Sequence, residues 1–386
     1  MNIAVIGLGG TGSAALRFLA AAGHKVTGYE RFEIGHKRGS SHGNSRIIRY
    51  AYPDPLYTNL MTAAFPLWEE LCDKAGRDLL VKCGGITFAP DGHPELDATI
   101  AALSSAGVAH TVMSSTDAMQ RFPAFRFAAD EMVVFHADAG FLRSGEIVET
   151  QVALARDADA EIRAGVEVVD VRESETDVLV RTACGDLSFY DKVIVAGGAY
   201  LPMLFPEIGL PLTVTRQQIT YVGLDVSAKG VCGPERMPVW IDAATYWYGF
   251  PTDGRVDGVK VARHQMGVEV DPIADDRAVR GSDDDEAVRV AEKRIGGTTG
   301  RVVHSEVCLY TNTPNEDFIF DTAPGWGNIL LVSGCSGHGF KFTVLLGKAA
   351  SDWATSDEFC HGLADDRFRL QTPVSVMFTP SARSAS

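Results

Sequence analysis

The chain has 386 residues, of which 46% are hydrophobic and 22% are charged. This length and composition allow a large core divided between two domains, and they exclude a disordered chain. The net charge of −15 repels polyanions over the whole surface, so we expect no nucleic-acid partner. No run of about 18 consecutive apolar residues occurs, so we expect no membrane partner.

Cysteine usage and the N-terminus both favour the cytoplasm. The cysteines show neither a C-x-x-C pair nor a metal-ligand spacing, which indicates a reducing compartment and no metal site. The run that starts at Asn2 reads as a strand followed by a glycine turn, which leaves no room for a signal peptide. The cysteines are Cys72, Cys83, Cys184, Cys232, Cys308, Cys335 and Cys360.

The beginning of the chain has the pattern of one βαβ unit. Residues 3–6 are an apolar run that ends at Gly7, and a helical pattern of apolar residues follows until Gly23. A second apolar run, residues 25–29, ends at Glu30. A strand, a tight turn, a helix and a second strand within about 30 residues predict one βαβ unit.

The turn of this unit carries a dinucleotide-binding motif. Gly7, Gly9 and Gly12 form G-x-G-x-x-G between the first strand and the first helix. Such glycines allow the tight turn, let the backbone approach a pyrophosphate and let the helix pack closely on the strand. Glu30, at the end of the next strand, is placed to accept hydrogen bonds from a ribose diol. The motif leaves NAD and FAD open, and the acidic Glu30 disfavours NADP.

The same periodicities predict the later elements. Helices are expected over residues 58–76, 144–158 and 343–353, with Ser144 as an N-cap, and an acidic helix start is expected within 274–294. Strands are expected over 86–88, 166–171, 177–181, 187–190, 192–196 and 329–332. Short aromatic-rich strands at 220–222, 240–242, 246–250 and 259–262 predict a separate mixed sheet.

Residues 308–321 read Cys-Leu-Tyr-Thr-Asn-Thr-Pro-Asn-Glu-Asp-Phe-Ile-Phe-Asp, and residues 336–341 read Ser-Gly-His-Gly-Phe-Lys. These segments resemble signatures of the monomeric sarcosine oxidase and N-methyltryptophan oxidase family, which consists of flavoproteins. Segments 41–49, 247–251 and 260–264 match the same family in the same order. With the N-terminal motif, the resemblance covers essentially the whole chain.

The resemblance implies a mixed α/β fold, in which a Rossmann-like FAD-binding domain is interleaved with a second domain built on a mixed β-sheet. On this basis we expect residues 1–80, 145–210 and 300–375 in the FAD-binding domain. Residues 81–144 and 211–299 are expected in the substrate domain, and residues 376–386 in a disordered tail.

The resemblance also implies that FAD is attached covalently, through a thioether to Cys308. Backbone amides of the turn around His338 are expected to face the flavin. The implied cofactor-binding residues are Gly7, Gly9, Gly12, Glu30, Arg31, Ser41, Ser45, Arg46, Val168, Gly198, Cys308, Gly337, Gly339, Phe340 and Lys341.

Seven residues match family positions around the reacting atoms. Arg49 and Lys341 match the pair that binds the substrate carboxylate, and Lys260 matches the lysine that activates oxygen. His264 and Arg46 match residues that tune charge and substrate binding near the flavin. Tyr248 and Tyr310 match tyrosines that line the substrate cavity.

The implied function is oxidation of the C–N bond of a small secondary amino acid such as sarcosine, with O2 as acceptor and H2O2 as product, by a monomer. Residues 239–246 depart from the sarcosine oxidase pattern, so a bulkier N-methyl amino acid, such as N-methyltryptophan, or a cyclic imino acid, such as proline or pipecolate, stays open. A nicotinamide-dependent dehydrogenase or a non-enzymatic nucleotide-binding protein would explain the N-terminal motif alone. Both leave Cys308 and residues 336–341 unexplained.

Overall fold

A computed structural model describes residues 1–265 and 267–370. The predicted tail over 376–386 lies outside the described residues. In the first half of the chain the elements are β1 (Asn2–Ile6), α1 (Gly10–Ala21), β2 (Lys25–Glu30), β3 (Arg46–Ile48), α2 (Pro55–Ala75), β4 (Leu80–Lys82), β5 (Gly85–Pro90), α3 (Pro94–Ser105), β6 (Thr111–Ser114), α4 (Ser115–Arg121), β7 (Glu131–His136), β8 (Gly140–Leu142) and α5 (Ser144–Asp157).

The second half contains β9 (Glu161–Ala164), β10 (Val168–Glu173), β11 (Val178–Thr182), β12 (Leu187–Tyr190), β13 (Lys192–Val195), α6 (Leu201–Leu204), β14 (Thr213–Leu224), α7 (Val226–Lys229), β15 (Val239–Asp242), β16 (Trp247–Phe250), β17 (Val259–Arg263), α8 (Gly281–Arg294), β18 (Thr298–Asn312), β19 (Ile319–Thr322), β20 (Ile329–Ser333) and α9 (Thr343–Ser356). Short 3-10 turns precede α6 and α9 and cover Asp366–Phe368.

A six-stranded sheet in the order β19-β20-β13-β1-β2-β9 forms the first layer. Strands β20, β13, β1, β2 and β9 pair in parallel, and β19 is the antiparallel edge. The central strand β1 is apolar on both faces because helices and β-structure cover both sides, and Ile3 and Ala4 belong to different core clusters. The predicted βαβ unit and mixed α/β fold class are confirmed.

An eight-stranded sheet in the order β18-β14-β17-β16-β15-β5-β7-β6 forms the second layer. Successive side chains of a strand point to opposite faces, and this alternation separates two packed surfaces. On β14, Ile219 and Tyr221 pack with Cys308, whereas Val222 and Leu224 belong to the core cluster that includes α8 residues. The sheet therefore presents one face to the candidate site and the other to α8.

Two three-stranded sheets complete the fold of the described residues. Strands β10, β11 and β12 form an antiparallel meander, as predicted, although β10 begins at Val168 and not at residue 166. Strands β3, β8 and β4 form a second three-stranded sheet. This sheet pairs strands from both expected domains, because β3 is expected in the first domain and β8 in the second.

The predicted N-cap of α5 differs from the structure. Arg143 and not Ser144 is the N-cap, and the Ser144 hydroxyl instead donates to the carbonyl of Gly43 at 2.9 Å. Helix α8 begins at Gly281, inside the range expected for an acidic helix start. Strand β18 stays paired with β14 through Asn312.

Candidate active site

The glycine turn after β1 is packed so tightly that side chains are excluded. A Cβ on Gly12 would lie 1.8 Å from the carbonyl oxygen of Gly7, and a Cβ on Gly7 would lie 2.5 Å from the carbonyl oxygen of Ala196. Gly7 also has φ of +87°, which favours glycine. A Cβ on Gly9 would lie 3.1 Å from Oγ of Ser41, which accepts a hydrogen bond from the amide of Gly10 at 2.9 Å.

A cavity of about 310 Å³ runs from this turn towards the eight-stranded sheet. Twelve of the predicted site residues line it, namely Gly7, Gly9, Glu30, Arg31, Ser41, Arg46, Val168, Gly198, Tyr310, Gly337, Gly339 and Phe340. The other predicted residues lie behind or beside its lining, namely Gly12, Ser45, Arg49, Tyr248, Lys260, His264, Cys308 and Lys341.

Glu30 is a buried carboxylate at the β2 end of the cavity. It accepts hydrogen bonds from the amide of Leu8 at 2.9 Å and from the amide of Phe32 at 3.1 Å, and His36 Nε2 lies 3.3 Å away. Burial raises the pKa of Glu30, but the contact with His36 and the two amides lower it more, so the net shift is downward. Glu30 is therefore an ionised acceptor. Arg31 pairs with Glu167 at 3.2 Å.

The turn between β20 and α9 closes the other end of the cavity. Gly337 has φ of +75°, and a Cβ there would lie 2.1 Å from the ring of Tyr310. A Cβ on Gly339 would lie 2.4 Å from Cβ of Cys335. The glycines therefore let this turn approach both β18 and the cavity closely.

Arg49 and Lys341 converge on Tyr52. Lys341 is 5% exposed, and its Nζ donates to the Tyr52 hydroxyl at 2.8 Å and to the carbonyl of His338 at 2.7 Å. The guanidinium of Arg49 lies 4.4 Å from the Tyr52 ring centroid, and it donates to the carbonyl of Ala51. Within the described ranges neither cation pairs with a carboxylate.

Burial lowers the pKa of Arg49 and of Lys341, and the charge of Arg49 lowers the pKa of Lys341 further. His338 completes the network, because its Nε2 donates to the carbonyl of Glu316 at 2.9 Å and its Nδ1 accepts from Tyr52 at 3.2 Å. Burial and the nearby Lys341 lower the pKa of His338, so this imidazole is neutral. Two cations with incomplete charge compensation form an anion-binding pair.

Lys260 and Arg46 form a second pair of cations. Lys260 is 1% exposed, and its Nζ donates to the Ser45 carbonyl at 2.7 Å and to the Ser45 hydroxyl at 3.2 Å. Arg46 Nη1 donates to the same carbonyl at 2.9 Å. Burial, followed by the charge of Arg46, lowers the pKa of Lys260 to about 7. The lysine therefore changes charge near neutral pH.

His264, Tyr248 and Tyr310 lie between these two pairs of cations, on the site face of the eight-stranded sheet. The hydroxyls of Tyr248 and Tyr310 are 3.4 Å apart, and the rings of His264 and Tyr310 are 5.9 Å apart. Burial, then Lys341 and Arg49, lower the pKa of His264 to about 4. Burial raises the pKa of both tyrosines. The three side chains are neutral near pH 7.

Cys308 is buried in β18, where it pairs with Gln217 of β14 and packs with Ile219, Tyr221 and Tyr310. Its neighbours Leu309 and Tyr310 line the cavity. Burial raises the pKa of the Cys308 thiol. The structure thus places Cys308 directly beside the cavity and beside the pair formed by Lys260 and Arg46.

The sequence analysis missed three residues that belong to this site. Tyr52 bridges the first pair of cations, His42 lines the cavity, and Glu306 lies 3.8 Å from His42. Glu306 could have been found by alternation, because it precedes Cys308 by two positions in one strand. Tyr52 carried no such signal, since an aromatic residue after an apolar strand is equally typical of a core.

Residues 2–353 match the model of a protein family described as FAD dependent oxidoreductase. The chain belongs to this family. It is 33% identical over 383 residues to the monomeric sarcosine oxidase of Streptomyces avermitilis, covering 96% of this chain and 98% of that protein. It is 32% identical over 372 residues to the N-methyl-L-tryptophan oxidase of Escherichia coli K12, covering 92% and 94%. NikD, described as an unusual amino acid oxidase essential for nikkomycin biosynthesis, has a similar fold, with a TM-score of 0.82 at 22% identity over 95% of this chain and 96% of that chain.

Membership in the FAD-dependent oxidoreductases confirms the flavoprotein prediction and decides between the two dinucleotides that the glycine motif left open. The described residues of this FAD-dependent oxidoreductase fit the cofactor. The absence of a side chain at Gly12 lets α1 pack closely on the turn, the backbone of Gly7 and Gly9 lines the cavity, and Glu30 presents carboxylate oxygens beside it.

Membrane-spanning helices and metal-ligand clusters are both absent from the described ranges of this FAD-dependent oxidoreductase. No helix within residues 1–265 and 267–370 combines the length and the apolar character that crossing a membrane requires. In the same ranges, no three His, Cys, Asp or Glu side chains are grouped so that they could hold a metal ion. All seven cysteines are unpaired.

Proposed function

We propose that the protein is an amine oxidase that uses FAD to oxidise the C–N bond of a small secondary amino acid, with O2 as acceptor and H2O2 as product. The observation that carries this proposal is the pair formed by the partly buried Arg49 and the buried Lys341, which has no carboxylate partner among the described residues. A pair of this kind favours a substrate that brings its own carboxylate. The names of the relatives, monomeric sarcosine oxidase and N-methyl-L-tryptophan oxidase, support the same substrate class.

In this proposal the cation pair orients the substrate. The guanidinium of Arg49 and the ammonium of Lys341 approach Tyr52 from different directions. A carboxylate held by both has little rotational freedom, so its α-carbon and nitrogen stay in one orientation over the cavity. Tyr52 and His338 hold Lys341 in place through the hydrogen bonds described above.

The neutral groups act at the amine. Because burial lowers the pKa of His264 to about 4, this imidazole is a neutral hydrogen-bond partner near pH 7 and adds no positive charge beside the amine. The hydroxyls of Tyr248 and Tyr310 supply further hydrogen bonds and exclude water from that side. Such surroundings favour the free amine over the ammonium, because burial disfavours additional positive charge.

FAD supplies the redox chemistry when it is bound, since its ring accepts a hydride equivalent from the carbon attached to nitrogen and then reduces O2. We propose that Cys308 holds this ring through a thioether and that the predicted glycines and Glu30 hold the nucleotide. Gly198, Val168 and Arg31 contribute to the same cavity lining.

Lys260 is proposed to activate oxygen. Electron transfer to neutral O2 creates a negative charge, and a buried ammonium stabilises that charge much more than it stabilises the starting state. Arg46 lies beside Lys260 on the same carbonyl of Ser45 and adds positive charge.

The pocket wall determines which nitrogen substituent fits, and we propose that residues 239–246 contribute to that wall. N-methyltryptophan, proline and pipecolate therefore remain alternatives to sarcosine. We further propose, from the resemblance, two interleaved domains with the boundaries given above and a monomeric enzyme of the cytoplasm.

The test is a substrate panel with two readouts. The purified protein is mixed with sarcosine, N-methyl-L-tryptophan, L-proline and L-pipecolate, and H2O2 release and anaerobic bleaching of the flavin are recorded. Dimethylamine, pyrrolidine and piperidine are matched controls that lack the carboxylate. We expect peroxide from at least one acid and from none of the controls. A yellow protein that releases no peroxide with any acid, or equal rates with acids and controls, would contradict the proposal.

A further inference from the structure

The buried Lys260 and the partly buried Arg46 share one hydrogen-bond acceptor beside the cavity. Lys260 Nζ and Arg46 Nη1 both donate to the carbonyl oxygen of Ser45, at 2.7 Å and 2.9 Å. Lys260 reaches this carbonyl across the ring of Phe250, whose centroid is 4.4 Å from Nζ. A carbonyl dipole alone compensates two like charges poorly in an apolar setting, so the arrangement requires a nearby anion.

Glu306 supplies an anion at this place. Its side chain is 14% exposed and lies in contact with the loop that carries Ser45, since Oε2 is 3.8 Å from Nδ1 of His42. A Cβ on Gly43 would lie 2.7 Å from Oε1 of Glu306 and 3.4 Å from Nη1 of Arg46. The carboxylate and the guanidinium therefore flank the same glycine.

The sheet register explains why Lys260 and Glu306 meet this loop together. Strand β14 lies between β17 and β18, with Tyr221 paired to Lys260 and Ile219 paired to Glu306. The two charged side chains leave the same face of the sheet on either side of β14. They then reach residues 42–46 from two directions.

Among the groups that favour the charged form of Lys260, Glu306 acts most strongly, ahead of Cys308 and Asp253. Asp253 uses one carboxylate oxygen to accept from the amides of Arg255 and Val256 in the turn after β16. Tyr221 and His42 are neutral, and Cys308 is a buried thiol. The titratable and charged groups that act on Lys260 from the surrounding elements are Arg46, Glu306, Cys308 and Asp253, and Tyr221 and His42 pack around them.

We propose that Glu306 is a positioning residue of the oxygen-reactive side, whose carboxylate keeps the ammonium of Lys260 protonated beside the guanidinium of Arg46. This inference rests on the proposed role of Lys260. Glu306 touches neither substrate nor oxygen in this scheme. It acts through the charge state of Lys260. It is itself ionised, because the contact with His42, followed by the charges of Lys260 and Arg46, lowers its pKa to about 2 in spite of its burial.

Stability as a function of pH tests the charge coupling without any turnover. The folded-state pKa of Lys260, about 7, lies below its ordinary value of 10.5, so the charged lysine lowers stability, and stability rises as the pH rises between these values. Glu306 reduces this loss of stability only while Lys260 is charged. The variant Glu306→Gln should therefore show a larger deficit in melting temperature at about pH 6 than at about pH 9.

A double-mutant cycle assigns the effect to Lys260. In a Lys260→Met background, Glu306→Gln should cause the same shift in melting temperature at both pH values. The matched control is Glu286→Gln, which removes the same charge from α8 on the reverse face of the sheet, where Glu286 pairs with Arg263 at 3.3 Å. A deficit of Glu306→Gln that does not depend on pH, or a pH dependence of that deficit that persists in the Lys260→Met background, would overturn the proposal.

Flavin reoxidation supplies the second measurement. At about pH 7.5 the rate constant for reaction of the reduced flavin with O2 should fall about tenfold in Glu306→Gln, and its pH profile should move to lower pH by about one unit. Anaerobic reduction by substrate should change little. If the panel above yields no substrate, the proposed function fails while the stability cycle still decides the role of Glu306. If substrates are found and the profile does not move, the role of Glu306 fails alone.

Discussion

The nucleotide end of the cavity and the group of cations near the flavin end are built in opposite ways. The first is made by consecutive residues from Gly7 to Glu30 and depends on backbone and on the lack of side chains. The second collects long charged side chains from β3, β17, β18 and the turn before α9. One added methyl group is enough to disrupt the contiguous nucleotide end, whereas the dispersed group of charged side chains responds to changes of charge.

The largest effect is expected from Gly12→Ala, since the new Cβ would lie 1.8 Å from the carbonyl oxygen of Gly7. Neither backbone segment can move away without breaking the contact between α1 and β1. We therefore expect the free energy of unfolding to fall by about 3 kcal/mol or more and the bound flavin to be lost. Thermal melting and the flavin-to-protein absorbance ratio measure both. Gly281→Ala is the control, because a Cβ there meets no atom within 4 Å. A stable yellow Gly12→Ala protein would show that backbone packing does not limit this site.

On the cation side, Lys260→Met should lower the rate constant for flavin reoxidation by about 10² to 10³, the range seen when a charge-stabilising donor is removed. Anaerobic reduction should fall much less. In the unsubstituted protein the reoxidation rate should decrease as the pH rises through about 7, since the ammonium then loses its proton. Lys229→Met is the control, because Lys229 forms a surface pair with Asp257. Equal losses in both half-reactions would exclude a specific role with oxygen.

A smaller effect is expected from Arg49→Met. Lys341 and Tyr52 remain in place, so the affinity for simple carboxylates such as acetate and propionate should weaken by about 10 to 100-fold and not vanish. Titration of the flavin spectrum with these ligands gives the dissociation constants. Arg289→Met removes the same charge from the exposed surface of α8 and should leave them unchanged. Unaltered affinity in Arg49→Met would remove Arg49 from the anchor.

The smallest effect on the fold is expected from Cys308→Ser, which replaces a buried thiol by a hydroxyl of similar size. The free energy of unfolding should fall by about 1 kcal/mol. Its spectroscopic effect should still be clear. After acid precipitation the flavin should appear in the supernatant, whereas the unsubstituted protein should give a yellow pellet. A yellow Cys308→Ser pellet would place the attachment elsewhere.

The contrast between the two regions also explains what sequence could predict. The unit from β1 to β2 was predicted because its strand, turn and helix follow one another within a short stretch. No helix or strand was predicted within residues 90–143, although Pro94 at the start of α3 and the acidic Glu95 and Asp97 in its first turn were usable signals. Isolated features of that kind acquire meaning only when the packed neighbours are known.

At the candidate site, the resemblance selected Arg49, Lys260 and Lys341, and the structure places them in two buried clusters. It could not select Glu306, because a glutamate within a strand is ordinary until the register brings it to the loop around Ser45. The proposed pairing depends on contacts across three strands, which no local pattern encodes.

The contact between Tyr310 and Gly337 has a consequence for evolution and for engineering. The ring fills the space that any side chain at position 337 would need, so position 337 cannot gain a side chain while Tyr310 keeps its ring. A library that enlarges the pocket by shortening Tyr310 would create room at 337, and a library that varies 337 alone would select only glycine. Variation at these two positions is therefore best encoded as one paired choice.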